Sequence, residues 1–524
     1  MRFLVQPLGI LAIVLTACAP AAPQATPGSP AQPREERAEN QSIRIAASSI
    51  PANLTPAAGF ANYIVFTPMY DTPTTLGKDF AVEPAVATKW DVSADGRTWT
   101  FTIRTDLVFQ NGDPMTADDF AFSINEMMQR GWPARTFIAT VAEARVTNPT
   151  TVEVTTRSPD MSIPAGLMFT PILPKRYYES VGFEGFVAKP VGTGPYDLAE
   201  FVREDRIIYR KRTAAHPFRN AQASELIFLS VPEHGQKING LRTGELDATT
   251  TSALSSDQVQ AAEAAGMKLQ VIRNAFIFVA IPQGTYELRN TPLKDKRVRQ
   301  ALNYAIDREA ITKTLFRGYA QPVAQLALEG SPSWDPNVKP VYDPALARRL
   351  LAEAGYPNGF SGITIEMSRA QNLQDVALVV QSQLREIGVQ AEIEIIESGL
   401  SVDRVYGRNN TQKQDLTMSG NGDTNGFYTA MRVLYGCGKP IGGTPSALYW
   451  CNPEWDRLLD AALAERDPQR RAQLLREANR IMREDAPVIP LYLPASFVVH
   501  SPKIVGLNLD GRTQYNFDNV YRIK

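Results

Sequence analysis

The chain has 524 residues, 44% of them hydrophobic and 21% charged, with a formal net charge of −1. That balance excludes a disordered polyelectrolyte and leaves no basic footprint for nucleic acid. The length predicts two to four domains rather than one core. Only three histidines are present, too few for a His-rich metal or catalytic centre, and no cofactor or metal is expected.

The first residues, MRFLVQPLGILAIVLTACAP, place Arg2 before an apolar run. The run is shorter than the ~20 residues a spanning helix needs, and it reads as a secretory h-region. The LTAC that follows resembles a bacterial lipobox. Residues 1–17 therefore read as a lipoprotein signal peptide, with Cys18 as the lipidated residue that holds the protein at a membrane. Residues 18–40 are the lipidated cysteine and an Ala/Pro/Gln-rich linker that cannot bury a core. Export to an oxidising compartment favours a disulfide between the two remaining cysteines, Cys437 and Cys451, over two buried free thiols.

Further along, ATKWDVSADGRTWTFTIRTDLVF reads as a hairpin turning at Asp95-Gly96. Trp99, Phe101 and Ile103 share its buried face. TADD, from Thr116 to Asp119, is a capping-box pattern, and Phe120, Ile124 and Met127 form a helical core stripe. RVTNPTTVEVTT and DLAEFVREDRIIYRK read as strand pairs. In KPVGTGPY, residues 189–196, Pro195 removes a donor and no GK[ST] follows, so the glycines mark a tight approach of two backbones rather than a phosphate loop. LKDKRVRQALNYAIDREAITKTLF reads as one amphipathic helix, with Val298, Leu302, Ala305 and Ile306 inward. YDPALARRLLAEAGYPNG starts at Asp343 with Pro344 in the first turn and stops at Gly355. NLQDVALVVQSQLREIGVQAEIEII is a helix to Gly388, then a strand with Val389, Ala391, Ile393 and Ile395 on one face. Two more capped helices follow, and APVIPLYLPASFVV returns to strand. A strand-rich first half thus leads into a helix-rich α/β half. The returning end is expected to fold back on the first half, leaving two bodies over a cleft.

VEPAVATKWDVSADGRTWTFTIRTDLVFQNGDPMTADDFAFSI, PVGTGPYDL, INGLRTGELDA, DKRVRQALNYAIDREAI, YDPALARRLLAEAGYPNGF, LYWCNPEWDRLLDAA and EDAPVIPLY fall in an order that resembles the family 5 extracellular solute-binding proteins, from about residue 43 to about 515. The resemblance implies a two-lobed α/β periplasmic-binding-protein-like fold of class II, joined by a strand hinge. Residues 41–80, 190–272 and 492–524 would form lobe I, residues 81–189 its extra subdomain, and residues 273–491 lobe II. It implies a monomeric receptor that closes on a short peptide and delivers it to a membrane ABC permease.

Ser419 to Gly443 is the segment richest in site candidates. Asn421, Asp423, Asn425 and Gly426 match the first positions of an EF-hand loop, but the twelfth position is Arg432, a cation where calcium needs a bidentate carboxylate. As the wall of a ligand cleft, the segment offers Asp423 for a peptide's α-amino group, with Asn421, Asn425 and Tyr428 beside it. A three-residue shift of alignment puts Gly420 in that place instead. By the same resemblance Arg369 is the candidate anchor for a carboxylate. Phe276 and Phe278 lie on the expected hinge strand, where only one can face the cleft. Tyr63, Phe66 and Tyr70 are candidate aromatic walls, and each is equally a core candidate. Other cargoes remain open: an opine, a sugar, a metal chelate. An exported hydrolase is disfavoured, since no G-x-S-x-G or H-E-x-x-H occurs and His216, His234 and His500 lie far apart. A receptor signalling to a sensor partner also remains open.

Overall fold

The strands follow the apolar alternation of the sequence. The computed structural model describes residues 36–58, 63–77, 81–250, 254, 256–273, 277–282, 291–369, 373–397, 415–421, 431–432, 435–437, 450–510 and 514–524. β1 (Ser42–Ala47) is the centre of the first sheet. β2 (Thr74–Leu76) and β3 (Val82–Pro84) form a short ribbon. β4 (Ala87–Val92), β5 (Thr98–Ile103), β6 (Val141–Asn148) and β7 (Thr151–Thr156) form an antiparallel sheet in the order β4-β5-β7-β6.

The expected hairpin is β4–β5, with Gly96 at φ +72° in its turn. Trp99, Phe101 and Ile103 are buried against α1 (Ala117–Arg130), which presents Phe120, Ile124 and Met127. Each fully buried side chain of this size contributes about 1.5–3 kcal/mol. The Asp119 carboxylate reaches back to the Thr116 backbone N–H at 2.7 Å, as the capping box requires.

β8 (Tyr196–Val202), β9 (Arg206–Lys211), β10 (Glu225–Ser230), β11 (Ala248–Thr249) and β12 (Lys268–Arg273) return to β1. α2 (His234–Thr243) connects β10 to β11. The seven-stranded order is β12-β19-β11-β1-β10-β9-β8. One continuous apolar cluster joins Ile43, Tyr196 and Phe228 of this sheet to Phe101 and Phe120, so residues 81–189 share a core with the first sheet.

The second sheet has the order β14-β18-β13-β17-β15-β16. Its strands are β13 (Ile277–Pro282), β14 (Gln321–Pro322), β15 (Phe360–Ser368), β16 (Val389–Ile396), β17 (Leu416–Asn421) and β18 (Ile489–Leu493). Where the sequence reads as one helix, the chain forms two, α3 (Lys296–Tyr304) and α4 (Arg308–Phe316). The apolar stripe runs through both, but Asp307 leaves helical geometry and caps the Ala310 N–H at 2.9 Å. A strong N-cap inside an unbroken stripe ends one helix and starts the next. α5 (Pro344–Glu353) and α6 (Gln374–Glu386) complete this core, and Asp343 caps α5 through the Leu346 N–H. α7 (Pro453–Ala464) and α8 (Pro468–Asp485) pack around Trp450, Trp455 and Tyr435 in a separate cluster. β19 (Ala495–His500) then rejoins the first sheet beside β12, so the end does fold back.

Candidate functional site

Strand direction locates the site. The chain passes between the sheets twice, between Arg273 and Ile277 and again between Leu493 and Ala495. β12 pairs antiparallel with β19, and β13 with β18, so the two crossings run in opposite directions. β11 is also antiparallel to β19, while β1 is parallel to β11 and β10. Hence β1, β10, β11 and β12 all aim their carboxyl ends at the crossing. In the second sheet Asn421, the end of β17, stands opposite Ile277, the start of β13. β15 is parallel to β17, and β16 to β15. Their carboxyl ends therefore face the same crossing. In open α/β sheets ligands sit outside such ends. Leu493 pairs with Gln321, so the second sheet holds the chain to Leu493 before it crosses.

At the first edge β1 runs into Ser48, which is exposed. Lys237 of α2 is fully buried and its Nζ donates to the Ser48 hydroxyl at 2.8 Å. Burial pushes the ammonium down to about 8. The Thr250 N–H donates to the Ala46 carbonyl at 2.8 Å, which ties the end of β11 to β1. Nothing in the residue pattern singles out Lys237; the one signal is a polar Ser48-Ser49 pair directly after an apolar strand.

At the second edge Arg369 follows Ser368, the last residue of β15. Its Nε donates to the Glu397 carboxylate at 3.0 Å, and the two side chains are 68% and 78% exposed. So solvated a pair contributes at most about 1 kcal/mol. Gly420 and Asn421 are strand residues of β17, with Gly420 opposite Phe278. The side chains of Asn421, Phe278 and Tyr63 lie outside the described residues, as do Phe276, Asp423, Asn425, Tyr428 and Cys18. Two aromatic candidates are core: Phe66 is 1% exposed, and Tyr70 is buried with its hydroxyl donating to the Leu54 carbonyl. Both belong to the cluster under the first sheet.

Cys437 and Cys451 are disulfide-bonded, with Cα atoms 4.4 Å apart. The Cys437 N–H donates to Asp456 of α7 at 3.1 Å, and Arg432 pairs with Asp456 and Asp460 at 3.3 and 2.9 Å. Arg432, the residue at the twelfth EF-hand position, thus ties its segment to α7.

The first half holds a second polar group of a different kind. The Asp71 carboxylate accepts from Thr193 Oγ1 at 2.8 Å, His216 Nε2 at 2.9 Å and Arg219 Nη1 at 3.2 Å. Arg219 also grips Asp518 with two bonds of 2.8 Å. The Arg219 N–H donates to His216 Nδ1 at 3.1 Å, so Nε2 carries the ring proton and points it at Asp71. Burial by itself would raise the Asp71 carboxyl, but His216, Arg219 and Thr193 outweigh it and hold it at about 2. With both Asp71 and His216 side chains 2% exposed, this is a tie between distant segments rather than an open reactive site.

Residues 81–444 match the family described as bacterial extracellular solute-binding proteins, family 5 middle. The chain is 28% identical over 461 residues to the glutathione-binding protein GsiB of Salmonella typhimurium, covering 85% of this chain and 87% of the relative. Its fold superposes on the periplasmic binding protein DppA of Helicobacter pylori in complex with the peptide STSA, with a TM-score of 0.77 and 25% identity over 92% of this chain and 98% of the other. It also superposes on NikZ of Campylobacter jejuni in complex with Ni(L-His), with a TM-score of 0.78 and 21% identity over 93% and 100% of the two chains. The fold is accordingly the two-lobed α/β architecture of periplasmic binding proteins.

Proposed function

Because the chain belongs to the bacterial extracellular solute-binding proteins of family 5, extracytoplasmic receptors of ABC importers rather than enzymes, we propose that it captures a short peptide between its lobes and hands it to a membrane permease. The observation that carries this reading is the meeting of two carboxyl-terminal sheet edges at one double crossing. A crossing of two short strand connections is a hinge, and closing it buries whatever lies between the edges. Residues 41–80, 190–272 and 492–524 with the subdomain 81–189 act as lobe I. The segment up to Pro494 that carries the second sheet acts as lobe II. Cys18, lipidated after removal of residues 1–17, anchors the protein as a monomer.

A peptide cargo suits the charges at the second edge. Arg369 exchanges Glu397 for the cargo carboxylate, and Asp423 takes the α-amino group. Similarity to glutathione- and peptide-binding relatives supports the same cargo class. Thermal unfolding of the purified protein with dipeptides, tripeptides, glutathione, opines, sugars and a nickel–histidine chelate decides the class. A cargo at one hundred times its Kd stabilises by about 2.7 kcal/mol. Peptides are expected to raise the midpoint; a rise with an opine or sugar alone would refute the peptide reading. For a peptide that binds, Asp423→Ala is expected to cost about 1.5–3 kcal/mol, roughly a 10- to 100-fold loss by titration calorimetry. Unchanged affinity would move the amine contact toward Gly420.

A further inference from the structure

We propose that a chloride-sized monovalent anion binds in a cavity between α3, α8 and the chain following β14. The cavity is ≈ 20 Å³ and is bordered by Asn303, Gln325, Asn479 and Arg483, with Leu326 and Val488 closing it. That is room for about one small species. It lies beside Val488 and Pro490, at the start of β18. The crossing is at the other end of that strand, so the cavity is separate from the cargo cleft.

The lining is rich in donors. Asn303 turns its side-chain carbonyl to Arg308, and the Gln325 amide both accepts the Asp335 N–H at 3.2 Å and gives one N–H to the Asp335 carbonyl at 2.8 Å. That leaves the Asn303 amide nitrogen and one Gln325 N–H to donate. Asn479 gives one N–H to the Ser333 carbonyl at 3.1 Å and keeps another. Arg483 Nη1 is buried with no hydrogen-bond partner among the described residues. Behind the wall Arg308, 3% exposed, donates to the carbonyls of Pro490, Ile306 and Asn303 at 2.6, 3.0 and 3.1 Å. Pro490 and Asn303 also border the cavity, so a second guanidinium stands directly behind it. Asp335, Glu484 and Glu477 act on Arg483, and burial still dominates and lowers both guanidinium groups.

Water brings as many hydrogens as lone pairs and must turn its own hydrogens toward these donors. A spherical anion accepts from all of them and offsets charge that burial leaves poorly solvated.

The test is thermal unfolding of the whole protein at one pH in 150 mM sodium chloride, sodium bromide or sodium gluconate. The halide-minus-gluconate shift is expected to be about 1–3 °C larger in the wild type than in Arg483→Met. Crystals grown in bromide are expected to show an anomalous peak within hydrogen-bond distance of Arg483 Nη1. Equal shifts in the two proteins, or bromide crystals with only a water at that position, would overturn the proposal. If Arg483→Met does not fold, the bromide peak decides alone.

Discussion

Asp71→Ala is expected to destabilise the protein by about 3–5 kcal/mol in urea unfolding at pH 7. The substitution strips the acceptor from three buried donors at once, on Thr193, His216 and Arg219. Arg219 keeps Asp518, so the cost should fall toward the lower end of that range. A variant within 0.5 kcal/mol of wild type would show that water replaces the carboxylate freely. The pH dependence carries a sign. The Asp71 carboxyl titrates at about 2 in the folded protein and near its ordinary ~3.9 when unfolded. The unfolded state therefore binds the proton first as pH falls. The stabilisation is complete above about pH 4 and is lost between there and pH 2. The gap between wild type and Asp71→Ala should narrow over that interval and stay constant above it.

Gly192→Ala is the second large effect, expected at about 3 kcal/mol by the same measurement. A Cβ at this position would stand 2.1 Å from the Met69 carbonyl oxygen and 2.8 Å from the Tyr70 ring. Most of what it meets is backbone, so no rotamer change relieves the contact. The strain should also break the bond from the Gly194 N–H to Met69 and displace Thr193 from Asp71. The two substitutions thus damage one joint. The double variant should cost clearly less than their sum, whereas strict additivity would show that the joint is two independent contacts.

Features carried by local pattern were legible in the sequence. The Asp95-Gly96 hairpin, the Thr116 capping box and the Asp343 cap each lie within a few residues, where spacing fixes the physics. The glycines of KPVGTGPY read correctly as a close approach, but not against which backbone, because Met69 lies over a hundred residues away. The break at Asp307 was hidden because the stripe Val298, Leu302, Ala305, Ile306 remains buried on both sides of it; periodicity reports burial and is blind to a cap placed between two good helices. Nothing marked Asp71, His216, Arg219 and Asp518 as partners, since pairing across 145 to 299 positions leaves no periodic trace. The cleft was legible only in outline. Arg369 directly follows β15, and its neighbour Glu397, which directly follows β16, became visible only through the register of the two strands.

The two ends of the folded body are fastened together. Arg37 bridges to Ile523, and Lys524 pairs with Glu36 at 2.6 Å. Under the proposed anchor, the seventeen residues 19–35 separate Cys18 from this knot. Seventeen residues reach at most about 60 Å when fully extended. The knot belongs to the half that carries β1, so under that anchor this half is the one held near the bilayer, while the other meets it at the two crossings and at contacts such as Met161 with Leu463 and Arg317 with Asp257. A permease would then meet a body whose tilt is restrained on one side, and shortening that stretch of residues should slow delivery of cargo before it weakens capture.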